Sequence, residues 1–297
     1  LTAKEPFKGL FTQGMICHET YQDAEGKWLS PEEIEKGEDG IFKTHDGGSV
    51  DVGPSIKMSK SKKNTIDPAD IIGSYGSDTA RFFMLSDSPP DRDMEWTESG
   101  IDGSWRYTQR LWRLVDTQLE VLPAAGETTP EKFSDVAIEL RRTVHKAIVS
   151  ISENIESFRF NAAVARLYEL TNYIGQFKPK ASSDNWALRE ALETLVRLVS
   201  PMMPHIAEEL WSRLGHRDLM VNVAWPVADL SLTVDQSVKL PVQVNGKLRA
   251  SISVAVDASD DEIKSLALSE GGVQRAIDGK EIRKIIIVKN RIVNIVV

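Results

Sequence analysis

Cysteine is almost missing from this 297-residue chain, in which Cys17 stands alone. A single thiol excludes an internal disulfide framework and suits a reducing compartment, with the cytoplasm as the default. No apolar run is long enough to cross a bilayer, and no signal-peptide pattern opens the chain. Positive charge is short as well: 36 Lys and Arg face 44 Asp and Glu, a formal net charge of −8. Taken as a mean, that balance argues against a nucleic-acid binder. The mean hides a split, however. Residues 236–297 carry ten basic against seven acidic side chains, a net of +3, and residues 1–235 carry the remaining deficit. Contact with a phosphate backbone is therefore expected in the C-terminal segment, although a basic surface that merely keeps it soluble fits the same count. Hydrophobic content of 41% and charged content of 27% are those of an ordinary globular protein, and the length suits about two domains.

The most informative stretch is Lys57-Met58-Ser59-Lys60-Ser61-Lys62-Lys63-Asn64. No apolar period of 2 or 3.6 runs through it, so it reads as an exposed loop. Asp67 then offers an N-cap oxygen and Pro68 suits the first helical position. Lysine ammoniums, loop amides and a helix N-terminus together can hold polyphosphate. A solvated lysine run or a localisation-type basic patch has the same composition.

Before that stretch, residues 7–16 read as a buried strand, with Leu10, Phe11, Met15 and Ile16 inward. A buried strand needs neighbours that nothing earlier supplies. The chain also opens on Leu1 instead of Met, so it is expected to be the C-terminal part of a longer protein. Residues 18–53 form a strand-rich insertion, with turns at 23–26 and 46–48 and one capped helical turn at Ser30-Pro31-Glu32-Glu33. After the lysine stretch come helices over 68–75 and from Ser77-Asp78, the latter with a stripe of Ala80, Phe83 and Met84. A further helix over 104–122 carries Leu111, Leu114, Val115 and Leu119 on one face. Arg106, Arg110 and Arg113 lie on another, either as a solvated face or as a stripe touching RNA phosphates.

Three amphipathic helices with 3-and-4 spacing follow: Leu140 to Phe158; Val164 to Phe177, capped by Asn161; and Leu188 to Val199, capped by Ser183 or Asp184. A fourth, 205–214, stops at Gly215. Short loops between such helices describe an antiparallel bundle. His145 and His205 lack a second ligand at metal spacing and are read as structural. Residues 216–232 read as a linker strand. From Val238 the period becomes 2, with Asn245-Gly246 as a hairpin turn between Leu240, Val242, Val244 and Leu248, Ala250, Ile252, Val254. Helices from Asp260 and Val273, then a second hairpin, complete a compact α+β domain.

Lys57 to Ser61 match letter for letter the Lys-Met-Ser-Lys-Ser loop of class I aminoacyl-tRNA synthetases. Ser200 to Trp211 resembles the bundle signature of the leucine, isoleucine and valine enzymes. Residues 18–53 resemble the leucine-specific insertion, and Val242 to Ala250 resembles that family's C-terminal domain. The isoleucine-type cysteine cluster and the valine-type terminal coiled coil are missing. The whole chain thus resembles the C-terminal part of a bacterial leucyl-tRNA synthetase, with a valyl or isoleucyl relative and a non-catalytic RNA-binding module as alternatives.

This resemblance implies a multidomain α/β + α fold. Residues 1–75 would be the end of a Rossmann-type catalytic domain with the insertion at 18–53, and residues 76–125 connecting helices of stem-contact type. Residues 126–235 would be an anticodon-binding-type bundle and linker, and residues 236–297 a small α+β tRNA-binding domain. The resemblance also implies ATP-dependent activation of leucine and its transfer to tRNA(Leu), in the cytoplasm. Lys57 and Lys60 would neutralise the departing pyrophosphate, backbone near Met58 would meet adenine, and Ser59 and Ser61 would shape the loop or donate to phosphate. Lys62 and Lys63 are given no role beyond that of solvated charges. Mg²⁺ is expected with ATP, without metal ligands in this chain. Arg106, Arg110, Lys247 and Arg249 are the candidate tRNA contacts. The family's His-Ile-Gly-His motif and editing domain do not occur here, so the chain alone is expected to be inactive.

Overall fold

A computed structural model describes residues 5, 7–38, 40–234 and 237–297. It divides into two compact units, Leu1–Asp229 and Leu230–Val297. The domain boundary expected at 235/236 falls outside the described residues.

The first unit opens with a small sheet. Strand β1 (Ile16–Asp23) pairs antiparallel with β2 (Trp28–Leu29) and with β5 (Val50–Lys57), and parallel with the two-residue β6 (Met94–Glu95). Strands β3 (Ile34–Lys36) and β4 (Phe42–Thr44) make a separate hairpin. The buried strand expected over 7–16 is not formed. Phe7 and Leu10 are 74% and 90% exposed, and backbone pairing begins only when the Gly14 amide reaches the Pro90 carbonyl at 2.8 Å. An apolar run without a partner edge has nothing to satisfy its backbone groups as a strand. The 18–53 insertion is strand-rich as expected, and its capped turn at Pro31–Glu33 is a 3₁₀ turn. Its frame overruns the expected limits, because β1 starts before His18 and β5 runs on to Lys57.

Helix α1 (Pro68–Tyr75) follows, with the Asp67 carboxylate accepting from the Ala69 amide at 2.8 Å. Helix α2 (Ser77–Ser86) buries Thr79, Phe82 and Phe83, while Met84 faces solvent, so the working stripe differs from the expected Ala80-Phe83-Met84. Helix α3 (Glu98–Asp116) starts six residues before the expected Ser104, because Thr97 accepts the Gly100 amide as its cap. It buries Ile101, Tyr107, Leu111 and Val115.

Helices α4 (Asp135–Glu156), α5 (Phe160–Gln176), α6 (Ser182–Val199) and α7 (Pro204–Arg213) form the bundle with the expected apolar faces, except that Phe158 lies past the end of α4 and is 49% exposed. Phe82, Tyr107, Leu111 and Val115 belong to the same buried core as Leu140, Leu167, Leu192 and Leu210, so the connecting helices and the bundle share one interior.

Three caps differ from expectation, those of α2, α5 and α6, the last having Ala181 at its N-cap in place of Ser183 or Asp184. Asn161 lies inside α5, which has no side-chain cap. Asp78 does not cap its own helix; its buried carboxylate accepts the Ile206 amide at 2.7 Å and meets His205 Nδ1 at 2.8 Å, so it caps α7. Asp184 sits in the first turn of α6 and accepts the Lys180 and Ala181 amides there. It also receives the hydroxyl of Ser134, the cap residue of α4, which ties two helix starts together. His145 is structural: it is buried, with Nδ1 accepting from the Asp229 amide at 2.9 Å. Residues 216–229 contain no strand. They hold a 3₁₀ turn at Met220–Asn222 and cross the bundle, where the Trp225 indole donates to Ser152 at 2.8 Å.

The second unit begins with a single helical turn, α8 (Leu230–Thr233). Strands β7 (Ser237–Val244), β8 (Lys247–Ala255), β9 (Lys284–Val288) and β10 (Ile292–Val296) form a sheet of order β8-β7-β10-β9, with β7 and β10 parallel. Helices α9 (Asp260–Ser269) and α10 (Gly271–Ile277) bring Ile263, Ala267 and Val273 against Leu240, Val242, Ile252 and Val293. Asn245 and Gly246 both have positive φ (48° and 77°), as a two-residue hairpin turn requires. A register shift after Val242 pairs Gln243 with Leu248, and this bulge turns Leu248 out of the expected inward row, leaving it 64% exposed.

Candidate functional site

Strand β5 delivers Lys57 into the lysine stretch, where it pairs with Cys17 of β1, and the Met58 amide bonds the Ile16 carbonyl at 3.1 Å. The stretch is a tight turn, not an open loop. Lys60–Lys62 is one 3₁₀ turn, and Lys63 closes it in the left-handed conformation (φ 55°), with its amide on the Lys60 carbonyl. Ser59 and Ser61 face each other with their hydroxyl oxygens 3.4 Å apart.

The residue that fixes the turn is Asn64, which is fully buried. Its Nδ2 donates to the carbonyls of His18 and Ile56, each at 3.1 Å, and its Oδ1 accepts the Ser59 amide at 2.9 Å. One side chain thus joins the turn to both strands beneath it. Sequence reasoning gave Asn64 no role, since an asparagine after a lysine run looks like any loop asparagine.

The structure separates the four lysines. Lys63 Nζ donates to both oxygens of Glu33, at 3.1 and 2.8 Å, and Lys62 Nζ lies 5.8 Å from the centre of the Trp28 ring. Both are engaged with the insertion, which corrects the expectation of plain solvated charges. The Lys63 ammonium and the Ser30 amide hold the Glu33 carboxyl down at about 2. Lys57 and Lys60 are exposed, and no partner for either ammonium is seen among the described residues. The N-terminus of α1, expected to add positive potential, is already occupied by its own cap, Asp67.

A cavity of about 550 Å³ shares His18 with this region and is lined by Glu19, Glu95 and Glu98 beside Tyr21 and Tyr75. With three carboxylates against Lys36, its lining is net acidic, the wrong sign for polyphosphate. The Tyr21 hydroxyl donates to Glu19 at 3.0 Å, and burial with that carboxylate pushes it well above the ordinary phenol range. Cys17, beside the turn, is a free thiol pushed up by burial and by Asp93 and Glu95. No cluster of three or more His, Cys, Asp or Glu at metal-binding distance occurs among the described residues.

The other candidates lie apart from the turn. Arg106 is exposed on α3. Arg110 instead turns towards α5: it donates to Asn172 at 2.7 Å and lies over the rings of Tyr107 and Tyr168, so it serves helix packing first. Lys247 and Arg249 are exposed at the start of β8, beside the hairpin tip. The tip is fastened to β10, because the Asn245 amide bonds the Ile295 carbonyl at 2.9 Å and the Gly246 amide bonds Asn294 at 3.2 Å.

Residues 49–97, which contain this turn, match the model of class I tRNA synthetases (I, L, M and V), and residues 138–264 match the anticodon-binding domain of tRNA ligase. Two segments of the chain are thus similar to parts of tRNA ligases, one to a class I synthetase and one to an anticodon-binding domain. Leucine–tRNA ligases match it along its whole length. It is 52% identical over 308 residues to the leucine–tRNA ligase of Rhodospirillum centenum, covering 100% of this chain and 36% of that protein. It is 53% identical over 298 residues to that of Paramagnetospirillum magneticum, covering 100% of this chain and 34% of that one. The chain therefore spans about a third of the length of these relatives. A crystal structure of a ternary complex of Agrobacterium radiobacter K84 agnB2 LeuRS, tRNA and LeuAMS superposes with a TM-score of 0.70 at 28% identity. That match covers 99% of this chain and 34% of the other.

Proposed function

We propose that this chain supplies the phosphate-handling turn and the tRNA-binding parts of a leucine–tRNA ligase. In that reaction the leucine carboxylate attacks the α-phosphate of ATP, pyrophosphate leaves, and the leucyl-adenylate then esterifies the terminal ribose of tRNA(Leu). An in-line displacement needs positioning, and it needs neutralisation of the charge that builds on the departing phosphates. The observation that carries the reading is the sorting of the lysines: Lys57 and Lys60 stand exposed on a turn held from below by Asn64, while Lys62 and Lys63 are engaged elsewhere. Lys60 is assigned to the leaving pyrophosphate, Lys57 to the same charge from the strand end, and the backbone at Met58 to adenine. Ser59 and Ser61 shape the turn or donate to phosphate. The ammoniums fit an anion and offer nothing to a metal, so Mg²⁺ would be held by the nucleotide's own oxygens.

The remaining assignments belong to the same reading. Residues 1–75 would close the catalytic domain, 76–125 would form the connecting helices, 126–235 the anticodon-binding bundle and linker, and 236–297 the tRNA-binding end. Arg106, Lys247 and Arg249 would meet RNA phosphates, with Arg110 a weaker candidate because of its bond to Asn172. No helix among the described residues is long and apolar enough to cross a membrane, and the single free Cys17 suits the cytoplasm.

The test is ATP–pyrophosphate exchange by the complete enzyme carrying this chain. Lys60→Ala should slow leucine-dependent exchange by ~10²–10³, as loss of one transition-state donor does. An unchanged rate would refute the assignment. The present 297 residues alone should give no exchange.

A further inference from the structure

Among the described residues, one ion pair joins the insertion to the phosphate-handling turn, between Lys63 and Glu33. Glu33 ends the 3₁₀ turn Pro31–Glu33, and its Oε2 already accepts the Ser30 amide at 2.8 Å and the Ser30 hydroxyl at 3.2 Å. The carboxylate is therefore set in place by its own cap before it meets Lys63. Lys63, in turn, is the left-handed residue that closes the lysine turn, one position before the buried Asn64. Three anchors then hold the turn: strand pairing at Lys57, Asn64 beneath, and Glu33 from the side.

We infer that Glu33 is a positioning residue for the adenylation step, acting through Lys63 to hold the turn so that Lys60 is presented free. The inference rests on the reading of that turn as the phosphate-handling element. Both partners are about two-fifths exposed (39% and 41%), so the pair contributes little to overall stability. Its effect is instead on geometry. Without Glu33, the left-handed closure of the turn loses its outer tether, and the Lys63 ammonium is released next to Lys60. Loss of the pair should lower kcat and leave the KM for ATP nearly unchanged, because Lys57 and Lys60 both remain.

The experiment is a double-mutant cycle in the complete enzyme, read by leucine-dependent ATP–pyrophosphate exchange. Glu33→Gln and Lys63→Met should each lower kcat by about three- to fivefold, in line with a partly exposed ion pair. The double variant should be no slower than the slower single one. A merely stabilising pair would shift the thermal midpoint and leave kcat alone. Wild-type rates in both single variants, or losses that multiply in the double variant, would overturn the inference. Lys60→Ala run alongside separates the two levels. If it slows exchange while Glu33→Gln does not, only the inference fails; if it is silent, the reading of the turn fails and the inference with it.

Discussion

Asn64→Ala tests directly what holds the lysine turn in place. It removes two donor contacts to strand carbonyls at 3.1 Å and one acceptor contact to the Ser59 amide at 2.9 Å, all at a fully buried position. Each buried group left unpartnered costs about 1–3 kcal/mol, and water entering the vacated space recovers part of that, so a total of about 2–4 kcal/mol is expected. The loss is local, because Asn64 joins a turn to two strands and is not part of the helical core. It should therefore appear in amide exchange of the turn before it appears in global unfolding. The Ser59 amide is the reporter, since Asn64 is its acceptor. At ~1.4 kcal/mol per tenfold, its exchange should accelerate by about 30-fold or more. The Met58 amide bonds a strand carbonyl instead, at 3.1 Å, and should change much less. Ser59 exchange within about twofold of the parent would show that the turn does not depend on this side chain.

Two further predictions follow from charge. The Glu33 carboxyl, held at about 2 by Lys63 and the Ser30 amide, should titrate far below an ordinary glutamate in a carbon-detected NMR experiment. Because that value is depressed in the folded state, the tether is complete above the ordinary glutamate range and is lost as pH falls through about 2; a midpoint near 4.5 would refute it. In the complete enzyme, Lys247→Ala and Arg249→Ala should each reduce the steepness of log K against log salt for tRNA binding by ~0.7–0.9, and an unchanged slope would remove those residues from the RNA surface.

How much of this was legible in the chain depended on whether the signal was local. The helical faces of α4 to α6 were, since the 3-and-4 spacing of Leu140, Val144 and Ile148, or of Leu188, Leu192 and Leu195, puts these side chains in the observed core. The Asn245-Gly246 hairpin was too, because the turn's positive φ values favour those two residue types. What failed was anything decided by a distant partner. Asp78 sits where a cap for α2 belongs, yet the amide it satisfies is that of Ile206, 128 positions away. Residues 7–15 have a strand's composition but no strand edge to pair with until Gly14. Trp225 has the sequence setting of a strand residue, yet the bundle's Ser152 decides its place.

The site shows the same divide at finer scale. A run of Lys57, Lys60, Lys62 and Lys63 carries no mark of which ammoniums are available, because spacing becomes orientation only once the backbone is known. Continued 3₁₀ geometry would place residues three apart above one another, so Lys60 and Lys63 would crowd like charges together. The left-handed Lys63 breaks that alignment and carries its ammonium to Glu33 in the insertion, while Lys62 settles near Trp28. Left-handed backbone is uncommon outside glycine, and here it lies between the turn's last hydrogen bond and the buried Asn64. The insertion thus acts on the turn by taking up two of its four positive charges, and the two that remain are those proposed to meet the departing phosphates.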